Sequence, residues 1–391
     1  MDQNFFVNLP SELTSDILSR LPLRSISIGK CVCKSWLNLF QSDDFVKSKI
    51  KTPPSLVRLI PMETNSTQCT TFEFEDEDEA DVESHALRFQ PLTDFEIPLG
   101  NPFSKCKAQP ANGLLLIHSS LERHIYVCNP ITREYIDLCC PVECVSPYML
   151  SFGFGASKIS GQYKVFCIDS DTLSDSQHVY TLGSDCHYVY TLGTGTWRRL
   201  DLDPASGCSL LFHGSIVCNG NLHWTLYDSA QIFWICALDL ETECFSTFSP
   251  PAVDELAGDG LAIDVKVNVL RDCLCLSYTL DDKVVIWLMK EYRFQESWTM
   301  EYQISIDIDC GFDFSPWDLM NVYPIKVFEN GDVLILLKGK CLIYYSNKTR
   351  TIRQAGMLTD GTSKNDGASA MIYTPSLYSL KNFGVENVIS F

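Results

Sequence analysis

The first part of the chain carries a helical pattern of apolar side chains. Leu13, Ile17 and Leu21 recur at a spacing of four residues, which places them on one face of a helix. Pro22 ends this helix and can begin a second one, because proline is tolerated in a first helical turn but not in a helix interior. A third helix is predicted over about 34–45. The pattern therefore predicts a small bundle of three short helices.

This bundle has more apolar side chains than it can bury by itself. A single core of about 40 residues is seldom stable without further contacts. The surplus side chains must contact either the rest of the chain or another protein, and we expect another protein. The side chains concerned are Leu9, Leu13, Ile17, Leu18, Leu21, Leu23, Ile26, Trp36 and Phe40.

Beyond Thr52-Pro53-Pro54 the apolar period changes from that of a helix to that of a strand. Turns at 112–113, 219–220 and 330–331 each precede two strand-like runs and a polar turn into a third strand. With weaker copies near 163 and 272, the starts lie 50 to 59 residues apart. A repeat of about 50 residues made of short strands is typical of a kelch-type β-propeller. The length of 55–391 predicts about six or seven blades.

The propeller ring is expected to close by pairing its two ends. Closure removes the exposed strand edges that an open sheet would leave. We expect 55–74 to share a blade with a C-terminal strand near 376–380. The alternative is that the C-terminal segment forms a plain outer strand.

The helical stretch also matches a known motif. Leu9-Pro10-x-Glu12-Leu13, then Ile17-Leu18-x-x-Leu21-Pro22, then Cys31-Val32-Cys33-Lys34-Ser35-Trp36 resemble an F-box of the plant type. The resemblance covers about 4–46. It implies docking onto an Skp-family adaptor and, through the adaptor, onto a cullin-based ubiquitin ligase.

The resemblance implies which residues contact the adaptor or support that contact: Leu9, Pro10, Leu13, Ile17, Leu18, Leu21, Pro22, Leu23, Ile26 and Trp36. Two positions depart from the common pattern, because Gly29 replaces a bulky apolar residue and Ile28 a frequent basic one. Glycine inside a helix costs about 1 kcal/mol relative to alanine. We therefore expect a shorter or frayed second helix around Gly29 and weaker docking.

The repeats carry a second resemblance. Gly113-Leu114-Leu115 with Asn129-Pro130-x-Thr132-Arg133, Asn219-Gly220-x-Leu222-His223-Trp224 and Tyr373-Thr374-Pro375-Ser376-Leu377 are similar to the F-box-associated domain of plant proteins. The similarity covers about 110–380 and implies a module that binds a substrate protein. The predicted organisation is an all-α F-box at 4–50, a linker at 51–54 and an all-β, propeller-like domain at 55–391.

Charge separates the two parts of the chain. The net charge is −19, and residues 1–51 carry seven basic and five acidic side chains, which leaves −21 for the remainder. An acidic domain argues against nucleic-acid binding through a general phosphate contact. No signal peptide and no apolar segment of membrane-spanning length is recognisable, so we expect no membrane partner and a cytoplasmic and/or nuclear location. The 18 cysteines lie mostly in strand-like runs and are expected to be buried thiols.

Motifs for catalysis and cofactors are missing from the sequence. No G-x-S-x-G, H-E-x-x-H, P-loop or C-x-x-C occurs. Gly153-Phe154-Gly155 lacks the third glycine of a dinucleotide loop. Cys139, Cys140 and Cys144 would need a fourth ligand to hold zinc. Cys186 and His187 would point to opposite faces of a strand. We therefore predict no cofactor, no metal and no catalytic residue.

Aromatic residues are the remaining candidates for binding. Trp197, Trp224, Trp287 and Trp298 recur in strand positions, which favours packing between blades. Phe312, Phe314 and Trp317 lie in a polar, turn-like stretch and are our candidate substrate anchors. The loops 169–175 and 254–260 are further candidates. The acidic run 73–83 is interpreted as a solvated loop, with a patch for a basic substrate as the alternative.

These patterns predict a substrate-recognition subunit of an SCF-type (Skp–cullin–F-box) ubiquitin ligase. The F-box would bind the adaptor, and the propeller would present an unidentified target protein for ubiquitination and degradation. The alternative is a cytosolic kelch-like scaffold that acts outside a ligase, with the helices packed on the propeller. An oxidoreductase is a distant third possibility.

Overall fold

The computed structural model describes residues 9–42, 44–45, 54–62, 64, 66–74, 89–99, 106–119, 122–141, 150–169, 179–181, 186–200, 209–227, 233–251, 265–280, 283–305, 322–337, 341–357, 369–384 and 387–390. Three helices come first: α1 (Ser11–Ser19), α2 (Leu23–Gly29) and α3 (Lys34–Gln41). They confirm the predicted order of three short helices.

The remaining regular structure is almost entirely β-strand. In chain order the strands are β1 (Ser55–Pro61), β2 (Thr67–Phe74), β3 (Phe89–Ile97), β4 (Cys106–Ala111), β5 (Leu114–Ser119), β6 (His124–Asn129), β7 (Glu134–Cys139), β8 (Leu150–Ala156), β9 (Tyr163–Asp169), β10 (Val179–Thr181), β11 (Cys186–Thr191), β12 (Trp197–Leu200), β13 (Ser209–Cys218), β14 (Asn221–Tyr227), β15 (Phe233–Asp239), β16 (Phe245–Phe248), β17 (Lys266–Leu270), β18 (Cys273–Leu280), β19 (Lys283–Met289), β20 (Trp298–Ser305), β21 (Val322–Val327), β22 (Val333–Leu337), β23 (Cys341–Ser346), β24 (Thr351–Met357), β25 (Ser369–Tyr373) and β26 (Val388–Ser390).

These strands form a six-bladed β-propeller. The sheets are β25-β1-β2-β3 (blade 1), β4-β5-β6-β7-β26 (blade 2), β8-β9-β11-β12 (blade 3), β10-β13-β14-β15-β16 (blade 4), β17-β18-β19-β20 (blade 5) and β21-β22-β23-β24 (blade 6). The strands β25, β4, β8, β13, β17 and β21 contact one another in a closed ring and are therefore the innermost strands. The all-β prediction is confirmed, and the blade number is six.

The ring closes in blade 1, as predicted, but through other residues. β25 pairs antiparallel with β1, with Leu59 opposite Ser369 and Ser55 opposite Tyr373. The predicted strand at 376–380 was wrong: that segment forms no strand, because the Asn129 side chain donates to the carbonyls of Ser376 and Tyr378. The alternative, a plain outer strand formed by the C-terminal segment, also occurs: β26 follows β25 in the chain and pairs with β7 at the outer edge of blade 2.

The sequence repeat corresponds to repeated turns. Asn112-Gly113 and Asn219-Gly220 connect the first two strands of blades 2 and 4, and all four residues have positive φ, as a tight two-residue hairpin requires. The polar turn before an outer strand also recurs. It places a residue with positive φ at Arg133, Glu243 or Arg350.

Close packing between neighbouring blades explains the Gly153-Phe154-Gly155 motif in β8. A β-carbon at Gly153 would lie 3.0 Å from side-chain atoms of Leu222 and Trp224 in blade 4, and one at Gly155 would lie 2.5 Å from Leu240. Trp224 is fully buried against Phe166 of blade 3, which confirms packing between blades for this tryptophan.

Candidate protein-binding surfaces

The first helix has one buried and one exposed apolar side. Pro10 caps α1, and its carbonyl accepts hydrogen bonds from the Thr14 amide and hydroxyl at 3.0 and 3.2 Å. Leu18 is buried, whereas Leu13 is 52% and Ile17 is 43% exposed. Leu13 and Ile17 are four residues apart and share one helix face. This face can contact another protein without unfolding the module.

Edge-on aromatic contacts order the third helix, and Phe40 packs it against the end of the second. The Trp36 ring meets the Phe40 ring edge-on at 6.2 Å, and Phe40 meets Phe45 at 5.1 Å. Phe40 is fully buried between them and contacts Gly29 at the end of α2. Gly29 is therefore the last residue of α2, not a residue in its middle as expected from the sequence.

The residues predicted to contact or support the adaptor fall into three groups. The exposed group is Pro10, Leu13, Ile17 and Pro22. The partly exposed group is Leu9, Leu21 and Trp36. The buried group is Leu18, Leu23 and Ile26. The buried group supports the helices and is not accessible to a partner.

The sequence-based prediction omitted two exposed apolar side chains. Ile28 is 63% and Val32 is 61% exposed. Ile28 lies in α2 and Val32 lies in the turn that follows it.

The helices also pack on the propeller, which corrects the expectation that their whole apolar surplus faces another protein. Leu18, Leu23 and Ile26 belong to the same hydrophobic cluster as Val57 and Leu59 of β1. The surplus is thus divided between an interface with the propeller and an exposed surface.

Two charged residues of the helical module face acidic residues of the propeller. Burial lowers the pKa of Lys30, while Glu134 of blade 2 opposes this shift. Burial raises the pKa of Glu73 in blade 1, while Arg24 opposes this shift. The helical module therefore lies beside blades 1 and 2.

We define the turn face as the side of the propeller that carries three hairpin turns: 112–113 between β4 and β5, 219–220 between β13 and β14, and 271–272 between β17 and β18. Tyr163, which follows the turn of blade 3, donates its hydroxyl to the carbonyl of Asn112 at 2.7 Å. Tyr373, opposite the first residue of β1, donates to the carbonyl of Gly113 at 2.8 Å. Glu134 begins β7 on the same side. The helical module therefore lies on the turn face.

A recess of about 320 Å³ opens on the turn face where four blades meet. Its lining consists of Asn112, Ala156, Lys158, Val217, Cys218, Asn219, Gly220, Val269 and Asp272. The Lys158 ammonium group donates to the Asn219 side-chain oxygen at 2.7 Å. Both polar and apolar residues therefore line the recess.

A second, larger groove of about 490 Å³ lies between blades 2 and 3. The Trp197 indole crosses it and donates to the carbonyl of Cys139 at 2.7 Å. Tyr190 packs edge-on against this indole at 5.4 Å. Trp197 thus joins two blades, as its predicted structural role requires.

The predicted substrate anchors Phe312, Phe314 and Trp317 lie outside the described residues. So do Cys144, the loop 254–260, most of 169–175 and most of the acidic run 73–83. The roles assigned to these segments stay predictions.

The described part of the chain holds no group of three His, Cys, Asp or Glu side chains arranged for a metal ion. No cysteine of the described ranges forms a disulfide, and burial raises the pKa of the Cys128 and Cys275 thiols. His187 is buried and stacks on Phe166. As for membranes, none of the helices in the described ranges is long and apolar enough to cross one.

Two family models match the chain. The F-box domain matches residues 6–48, and the F-box associated beta propeller domain matches residues 59–380. The chain therefore belongs to the plant F-box proteins with an F-box associated β-propeller.

Individual relatives agree with this assignment. F-box protein At3g07870 of Arabidopsis thaliana is 27% identical over 379 residues, which cover 87% of this chain and 85% of that protein. F-box protein CPR1 of Arabidopsis thaliana is 26% identical over 327 residues, or 76% of this chain and 73% of that protein. Among solved structures, Citrobacter koseri AztD is similar with a TM-score of 0.39 and 9% identity, over 82% of this chain and 91% of that chain.

The family sets the general role. An F-box domain implies binding to an Skp-type adaptor, and proteins of this family are typically non-catalytic adaptors. Substrate recognition for an SCF-type complex is the role that the two domains and the relatives support in general.

Proposed function

We propose that this protein is the target-recognition subunit of an SCF-type ubiquitin ligase. Its helical module binds an Skp-type adaptor, the adaptor connects it to a cullin, and the propeller binds the protein to be ubiquitinated. The chain itself supplies no catalytic group. It acts by raising the local concentration of the target near the ubiquitin-conjugating enzyme.

One observation carries this proposal: the helical module packs on the propeller and still exposes apolar side chains. Leu13 and Ile17 on α1 remain exposed although Leu18 of the same helix is buried. Exposed apolar side chains that cluster on one element of a folded protein mark an interaction site. The mild positive charge of residues 1–51 suits an acidic partner.

The test is capture of a purified Skp-type adaptor by the full chain. Leu13→Asp and Ile17→Asp should each abolish capture, because a carboxylate would be desolvated at the contact. The matched control is Ile159→Asp, which changes an exposed isoleucine of the propeller (83% exposed) and should leave capture unchanged. Full capture by both α1 variants would exclude the proposed contact.

The second candidate is a scaffold that acts outside a ligase. The observation in its favour is the shared hydrophobic cluster between the helices and β1, since a purely structural module would also pack in this way. Failure of the wild-type chain to bind any Skp-type adaptor would favour the scaffold.

We also propose a cytoplasmic and/or nuclear location, where such ligases act. The thiols of the described residues form no disulfide and are largely buried, which fits a reducing compartment. Imaging of a fluorescent fusion tests this location, and retention in the secretory pathway would contradict it.

A further inference from the structure

We propose that the target protein docks on the turn face over blades 3 to 5, and that Asp272 binds a basic side chain of the target. This inference rests on the proposed function, since it locates the target-binding surface of the receptor. The helical module covers blades 1 and 2 of the same face, so the adaptor and the target would bind side by side.

The first observation is the turn between β17 and β18, which breaks a local rule. The corresponding turns of blades 2 and 4 are Asn-Gly, whereas blade 5 has Arg271-Asp272, with φ of 51° and 60°. A left-handed conformation costs Arg271 roughly 1–2 kcal/mol, since glycine and, less often, asparagine and aspartate are the residues that adopt it readily. Strain of this kind often marks a functional position.

The two residues of this turn differ in what they contact. The Arg271 guanidinium donates to the carbonyl of Phe328 at 3.1 Å and so connects blades 5 and 6. Asp272 is exposed and lines the recess, and no basic side chain pairs with it among the residues that the structure describes. Lys158 also lines the recess and donates to the Asn219 side-chain oxygen. Asp272 is thus a carboxylate available to a ligand.

The recess has the form that a lysine or arginine side chain needs. Its apolar lining residues Ala156, Val217 and Val269 can pack against an aliphatic stem, while Asp272 and the Asn112 amide can bind the charged end. The net charge of −21 outside residues 1–51 would attract a basic partner from a distance.

Two exposed apolar side chains lie on turns of the same face, and hydrogen bonds hold both turns in place. Ile159 is 83% exposed, and the Ser157 hydroxyl accepts its backbone N–H at 3.1 Å while donating to Glu241 of blade 4. A rigid apolar side chain loses little entropy on binding, as a binding anchor should.

The second apolar side chain is Phe294, which is 51% exposed. Its carbonyl accepts from the Ser297 hydroxyl at 2.6 Å, and the neighbouring Arg293 donates to Asn221 and Ser246 of blade 4. Hydrogen bonds thus connect the turns of blades 3, 4 and 5 into one continuous surface.

The experiment uses a phage-displayed library of random heptapeptides, selected on the immobilised full chain and counter-selected on the Asp272→Asn variant. Asparagine keeps the shape and tolerates the left-handed backbone but removes the charge. The expected peptides contain a lysine or arginine near an apolar residue. Their affinity should fall about tenfold for Asp272→Asn and for Ile159→Asp.

Phe294→Ser should also weaken binding, and its matched control is Met300→Ser. Met300 has the same exposure of 51% but lies on the outer strand β20, away from the recess, so its variant should bind as the wild type does. Peptides without basic residues, a selection that yields no peptide dependent on Asp272, or equal losses for Phe294→Ser and Met300→Ser would overturn the proposal. Adaptor capture by the same preparations tests the proposed function separately.

Discussion

Gly29 and Phe40 are in direct contact between α2 and α3. A β-carbon built on Gly29 would lie 2.9 Å from Cε2 and 3.1 Å from Cζ of Phe40, which is fully buried. The glycine therefore permits the close approach of the two helices. In this chain Phe40 occupies the space that a bulky side chain at position 29 would need, so the departure from the common F-box pattern has a steric reason.

Gly29→Leu should destabilise the helical module by about 1–3 kcal/mol, because extra atoms in a packed core force neighbours out of their preferred rotamers. Limited proteolysis between the helices and the propeller, followed against denaturant concentration, measures the loss. The neighbouring change Ile28→Leu is the control, since Ile28 is exposed. If Gly29→Leu were as stable as the wild type, the helices would have to be packed differently.

Leu18→Ala should lower stability, whereas Leu13→Ala should lower adaptor binding. Leu18 is buried, so its truncation should cost about 2–5 kcal/mol of stability. Leu13 is half exposed, so its truncation should leave the unfolding transition unchanged while weakening adaptor binding by at least ~2 kcal/mol. Thermal unfolding and adaptor titration of the same two variants separate the effects. Loss of stability in Leu13→Ala would contradict this assignment.

The elements could be predicted from the sequence because their signals are local. Pro22 and the spacing of Leu13, Ile17 and Leu21 located the first two helices, and the Asn-Gly turns located the blades. The closing strand was placed at 376–380, not at Ser369–Tyr373, because pairing with β1 joins residues from opposite ends of the chain.

The surfaces were harder to predict than the elements. The sequence could not show which apolar side chains of the helices face the propeller, because that division depends on the position of the module beside blades 1 and 2. It also could not show that Asp272 lines a recess, because residues of four blades form that recess together.

Stability should fall as the pH drops below about 6.5, since three buried histidines resist protonation in the folded state. Burial lowers the pKa of His118 to about 3 and the pKa values of His187 and His223 to about 4. The unfolded chain binds these protons near pH 6.5, so stability is retained above that pH and lost between about 6.5 and 4.

Each of these protons contributes a slope of about 1.4 kcal/mol per pH unit to the free energy of unfolding. Denaturant unfolding at several pH values measures the total slope. His187→Phe keeps a ring to stack on Phe166 and should reduce the slope by one proton. An unchanged slope in this variant would show that His187 is protonated in the folded state.

Glu134→Gln should loosen the C-terminal segment without unfolding the ring. The Glu134 carboxylate accepts from the Ser379 hydroxyl and from the Leu380 amide at 2.9 Å, and from Thr132 at 3.1 Å. Hydrogen bonds to a charged group contribute about 1.5–3 kcal/mol, and the neutral amide accepts more weakly. Hydrogen exchange should accelerate at 379–383, while exchange in the distant strand β18 stays unchanged. Equal acceleration in both segments would show global destabilisation instead.

Replacement of Arg271-Asp272 by Asn-Gly, the pair used in blades 2 and 4, should stabilise the propeller and weaken target binding. The gain is expected to be about 1 kcal/mol, because both residues have positive φ and Asn-Gly adopts this turn with less strain. Binding of the selected peptides should fall about tenfold, because the Asp272 carboxylate is removed. Thermal unfolding and peptide titration measure the two changes.

Arg271→Asn alone is the control: it should gain part of the stability and keep peptide affinity, since Asp272 remains. A double variant that gains stability and still binds the peptides as tightly as the wild type would show that the strain in this turn serves another purpose.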